Sequence, residues 1–144
     1  MLSSDVRYVK WEPIEGIDQP CGLVRIVDHE SGYGLTLLLS LYDPELGAQK
    51  WLRLIFEDDI VAVSAYEEFA HPIMDHAPNS LPRFKNKTAF PCLEVLNSAW
   101  IASFSELRRV AFGGACRHYC FVSHQRIVDV LTFRAVHAEW VPVE

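Results

Sequence analysis

No apolar run in this chain approaches the length of a membrane span. The longest, Leu35–Leu41, is interrupted by Thr36 and Ser40, whereas a spanning helix needs about 20 apolar residues. The segment MLSSDVRYVK has no basic stretch leading into an apolar core, so no secretory leader is expected there and a cytoplasmic location is the default. Basic residues are in the minority: 13 Lys and Arg stand against 19 Asp and Glu, a net charge of −6. Nucleic acid is bound by neutralising phosphates with Lys and Arg, so neither a nucleic acid nor a membrane is the expected partner. The only basic cluster, Arg83-Phe84-Lys85-Asn86-Lys87, lies in a Pro-rich stretch and reads as solvated loop. The even count of four cysteines (Cys21, Cys92, Cys116 and Cys120) invites a disulfide reading, but a cytosolic chain with a sufficient apolar core needs no staples, and buried free thiols are expected. The seven glycines form no phosphate loop, and no G-x-S-x-G elbow is present. No catalytic residue, cofactor or metal is therefore assigned from the sequence.

What is present is an ordinary globular composition. The 144 residues are 50% apolar and 22% charged, enough to build one core, and 1–144 is read as one domain. Gly22–Asp28 and Gly34–Asp43 are β-rich and flank a turn-forming His29-Glu30-Ser31-Gly32, which predicts a hairpin. Leu35, Leu37, Leu39 and Leu41 fall on one strand face. In Gln49–Glu57, Leu52, Leu54 and Phe56 share a face opposite Trp51, Arg53 and Ile55. Ile60–Phe69 reads as a strand, with a helical turn over Ala65–Phe69 as the alternative. Four prolines break up His71–Pro91. A stripe of Leu93, Leu96, Trp100, Phe104 and Leu107, or a short strand followed by a helix from Ser98 to Arg109, predicts one substantial helix. Strands over 117–123, 126–133 and 134–143 follow. The expected class is α+β: a mainly antiparallel, curved β-sheet of six to eight strands with that helix packed against it.

Several constellations have the composition of a site. Cys116, His118 and Cys120 share a strand face, but the two thiols would lie about 13 Å apart along an extended chain, too far for one zinc ion. His71, Asp75 and His76 match no ligand spacing, and Pro72 opposes the helix that would align them. Ser123, His124 and Asp129 list a triad's members, but a triad is defined by geometry; Ser123 and His124 read as a turn pair. Glu57, Asp58, Asp59, Glu67 and Glu68 are the densest acids. They read first as solvated charge and next as a patch for a basic protein. Trp51 with Arg53 is a further candidate contact, since such pairs are enriched at interfaces.

Phe90-Pro91, Leu93-Glu94-Val95, Asn97-Ser98-Ala99-Trp100 leading to Phe104, Arg117-His118-Tyr119 and Ile127-Val128-Asp129-Val130-Leu131 form a recognisable cadence. It resembles small uncharacterised bacterial proteins, some of them immunity proteins of polymorphic toxin systems. The resemblance covers about the last 55 residues, less clearly Leu52–Glu68, and carries over no functional residue. It implies a non-enzymatic protein that binds and blocks a partner. The leading expectation is thus a protein–protein interaction module, its partner-binding residues drawn from Glu57, Asp58, Asp59, Glu67, Glu68, Trp51 and Arg53. The alternative is a small-molecule binder or enzyme with a pocket in the curved sheet, using His118, Tyr119 or Arg53. A homodimer formed through a sheet edge is the third.

Overall fold

The alternation of leucines in Gly34–Tyr42 (β3) is realised as an extended strand in which Leu35, Leu37, Leu39 and Leu41 are almost fully buried. The computed structural model describes residues 6–30, 34–42, 47, 49–57, 60–71, 73, 81–105, 116–133 and 136–142. Among them, chain order runs through β1 (Arg7–Lys10), β2 (Cys21–Glu30), β3, β4 (Gln49–Phe56), β5 (Ile60–Glu67), β6 (Cys92–Leu96), α1 (Ala99–Ala102), β7 (Arg117–Val122), β8 (Arg126–Thr132) and β9 (His137–Val141). The strands form two antiparallel sheets, ordered β1-β6-β7-β8-β5 and β2-β3-β4-β9. Among the described residues, a pair of packed sheets with nine strands replaces the one curved sheet of six to eight expected from the sequence. The β2–β3 hairpin forms as expected, with two irregularities in its register.

Leu37 lies opposite Leu54 and Leu39 opposite Leu52, so β3 and β4 present one apolar face. Burying each such leucine stabilises the fold by roughly 1.5–3 kcal/mol. Against that face stand Tyr119 and Phe121 of β7, whose rings lie 6.5 and 6.2 Å from Phe56. Trp11 stacks on Tyr119 at 4.1 Å, and the chain from Trp11 to Pro20 closes over the core, held where Trp140 Nε1–H donates to the Glu15 carbonyl and Lys50 pairs with Asp18. At another corner the backbone N–H of His124 donates to the Cys21 carbonyl and ties the two sheets together.

The helix differs most from expectation. Ser98 caps it as predicted, its hydroxyl accepting from the Ile101 N–H, yet α1 spans only Ala99–Ala102 before turning at Ser103. Residues 106–109, the rest of the predicted helix, lie outside the described residues. Ile60–Phe69 divides: it is strand through Glu67, then a 3-10 turn over Glu68–Ala70. The Pro-rich stretch carries an antiparallel bridge between Arg83 and Ala89. Cys21, Cys92 and Cys120 are buried free thiols, and Cys116 is half-buried. Among the described residues no helix is long and apolar enough to cross a membrane.

Candidate functional site

Strands β7 and β8 are buried on both faces. Tyr119, Phe121, Val128 and Val130 turn toward the other sheet; the two-residue period therefore sends His118, Cys120 and Asp129 to the opposite face. Cys120 and Asp129 are direct cross-strand partners. Two further segments reach this face. The 3-10 turn after β5 delivers His71, and the corner between β6 and α1 delivers Ser98. That corner is sharp because Asn97 takes a left-handed conformation, φ 55, which Asn tolerates better than most residues.

These side chains form one network. Asp129 accepts from His71 Nε2 through one oxygen, and from His118 Nε2 through the other at 2.6 Å. Nδ1 of His118 lies 2.7 Å from Ser98 Oγ. Nδ1 of His71 accepts the Ile73 backbone N–H at 2.9 Å. Because Nδ1 is an acceptor, a neutral His71 carries its proton on Nε2, directed at Asp129. Ser98 Oγ already accepts the Ile101 N–H, which leaves its own hydrogen for His118 Nδ1. Every member is at most 7% exposed. The ring of Trp100 lies edge-on to His118, and that of Tyr66 edge-on to His71.

Burial, the largest influence on Asp129, pushes its carboxyl up, but the hydrogen bonds and charges of His118 and His71 together outweigh it, and the group sits below the usual carboxylate range. Burial drives the Cys120 thiol well up, and the Asp129 charge adds to this. The neutral thiol is then favoured, and it is a poor nucleophile. Burial also raises the half-buried Tyr8 phenol, with Cys120 and Asp129 adding to the effect.

Two chemistries are suggested by this composition. Ser98, His118 and Asp129 have the connectivity of an acyl-transfer triad, but Ser98 is buried and its hydroxyl is committed to capping α1. Ligand atoms of His71, Cys120 and Asp129 lie within 4.8 Å of one another, a spacing suited to a metal. A ligating imidazole normally donates its other N–H to a second partner. His71 does the reverse, accepting at Nδ1, so a metal on Nε2 would require the ring to give up its only proton. What the arrangement does is join four chain segments through one carboxylate.

The sequence-derived candidates are dispersed. Glu57 is exposed just after β4, while Glu67 ends β5 and Glu68 opens the 3-10 turn at that strand's far end. Asp58 and Asp59 lie outside the described residues. Trp51 and Arg53 share the outer face of β4. Arg53 is paired with Glu139 of β9 at 2.7 Å, and Trp51 Nε1 is buried without a partner among the described residues. His118, Tyr119 and Arg53 share no pocket: the first is in the network, the second stacks on Trp11, and the third is on the far sheet. Ser123 closes the β7–β8 turn on Arg126 and takes no part in the network. His71 and Ser98 were missed as members because His71 meets Asp129 across 58 positions of chain and Ser98 meets His118 across 20; only the buried face shared by His118 and Asp129 hinted at polar partners. Comparisons with protein-family models, with curated proteins and with solved structures find no match.

Proposed function

We propose that this chain is a non-enzymatic module that binds a protein partner through the β5 edge. The observation that supports it is the state of that strand. Among the described residues β5 pairs with β8 alone, and it ends in the exposed pair Tyr66 and Glu67, followed by Glu68. Tyr66 is 46% exposed. An open edge offers backbone donors and acceptors to a partner strand, an exposed tyrosine is a frequent anchor, and the acids suit a basic partner. The resemblance to immunity proteins is in keeping with a toxin-like basic domain as that partner. By contrast, the network of Ser98, His118, Asp129 and His71 is sealed from solvent and satisfied internally.

The reading is tested by retrieving partners from native lysate with tagged wild type and with Tyr66→Ser/Glu67→Lys. The expected result is one stoichiometric partner with wild type that is lost with the double variant and retained with Glu57→Lys. Equal recovery by all three proteins would remove the β5 edge from consideration. Recovery of the wild-type protein alone would count against a partner-binding role.

A further inference from the structure

The two imidazoles on Asp129 differ in what stands at their other nitrogen, and that difference decides where the network tolerates an added proton. Nδ1 of His118 faces Ser98 Oγ at 2.7 Å. A hydroxyl is both donor and acceptor, so on protonation of His118 it turns and accepts. Its second lone pair still serves the Ile101 N–H, which it holds at 3.1 Å. Nδ1 of His71 faces the backbone N–H of Ile73 at 2.9 Å. A backbone N–H only donates, so a proton on that nitrogen sets two donors against each other. Nor is the ring free to turn over. Asp129 of β8 holds Nε2, Tyr66 of β5 meets the ring edge-on, and the His71 backbone N–H donates to the Glu68 carbonyl. The other titratable side chains described on this face are His118 and Cys120 of β7, with Tyr8 of β1 close enough to feel both Cys120 and Asp129.

We propose that His71 is an acid-sensitive catch: uncharged, it holds Ile73 in the core, and charged, it lets Ile73 go while itself staying on Asp129. The imidazolium remains because its charge strengthens the hydrogen bond to the carboxylate, whereas Ile73 has lost its acceptor. What is let go is part of the core. Ile73 is 2% exposed and belongs to the buried apolar cluster. With Cys21, Leu81 and Ile127 it lines a cavity of about 330 Å³ where the β7–β8 turn meets the start of β2. Cys21 and Ile127 are themselves almost fully buried, so withdrawal of Ile73 widens that cavity and bares an apolar floor. The change is local, because β8 stays paired on both sides, with β7 and with β5. A charge on His118 has no such effect, since the Ser98 hydroxyl absorbs it by turning.

The test is a titration of the ¹³C,¹⁵N-labelled full chain from about pH 8 to about pH 4, the span in which histidine changes charge. Long-range proton–nitrogen correlations of the rings give the tautomer and charge of His71 and His118 separately. Hydrogen exchange, corrected for its intrinsic pH dependence, gives the protection of the Ile73 amide. At the alkaline end both rings are expected to be uncharged with the proton on Nε2. As His71 becomes charged, protection of Ile73 is expected to fall about tenfold or more, the scale of one hydrogen bond, while the amides of Val128 and Val130 stay protected. Charging of His118 alone should leave Ile73 unchanged. His71→Asn offers Oδ1 to the Ile73 N–H and takes up no proton, so its Ile73 protection should stay flat across the range; if that variant does not fold, the wild-type titration decides alone. A proton on His71 Nδ1 at the alkaline end, Ile73 protection that survives the charge on His71 or falls with that on His118, or a His71 uncharged until the whole fold is lost would each overturn the assignment. Partner binding through the β5 edge is independent of these readouts, because they are made on the chain alone.

Discussion

Asp129 joins four chain segments of this fold. Both of its oxygens accept from buried imidazoles, and through them it holds β7, β8, the turn at His71 and the corner at Ser98. Replacing it by Ala leaves two buried N–H donors with no acceptor. The expected loss is about 3–5 kcal/mol, read from urea unfolding; a loss under about 1 kcal/mol, ordinary for a point change, would show that the carboxylate is not the anchor. The same residue sets an acid limit. Its ionisation is favoured in the folded state, so its contribution is fully present above the unfolded carboxylate value near pH 4 and fades as pH falls through the lower folded value. The advantage in unfolding free energy of wild type over Asp129→Asn should therefore shrink as pH falls below about pH 4. A difference that stays constant down to pH 2 would contradict the network's charge assignment.

Among the elements, the β3–β4 pairing has a close backbone approach at Gly34. A Cβ added at Gly34 would lie 2.7 Å from the Glu57 carbonyl oxygen and 2.9 Å from that of Phe56. Both are backbone atoms, so neither can rotate away. Gly34→Ala should cost about 1–3 kcal/mol in thermal unfolding and speed hydrogen exchange at Leu35, at that end of the ladder. Unchanged exchange there would mean that the strands part without cost. The β6–α1 corner illustrates how local signals work: Ser98 was legible as a cap because a hydroxyl facing an orphan N–H is a local arrangement. The length of the helix was not legible, because a three- and four-residue apolar spacing is also produced when strand, turn and short helix follow one another. Leu93 is spent on the sheet within β6, and Trp100 on His118.

For the molecule as a whole, the two sheets share one core, with Phe56 of one against Tyr119 and Phe121 of the other. Unfolding should be a single cooperative event. Tryptophan fluorescence reports on both layers, through Trp51 and Trp140 in one sheet and through Trp11 and Trp100 packed on the other. Its transition is expected to coincide with that of far-ultraviolet circular dichroism. Midpoints separated beyond error would mean that the sheets melt independently.

The sequence by itself determined the β-rich class, the positions of most strands, the leucine face of β3 and the helix cap, because a two-residue period and a capping hydroxyl act over a few residues. Only the tertiary structure decided which strands are neighbours. β1 pairs with β6, β5 with β8 and β4 with β9, and these pairings turn one expected sheet into two. The same step made the polar network: His71 reaches Asp129 across 58 positions, and Arg53 reaches Glu139 across 86. A contact of that span is set by how apolar faces bury one another, and neither residue carries a local mark of the partner it will meet.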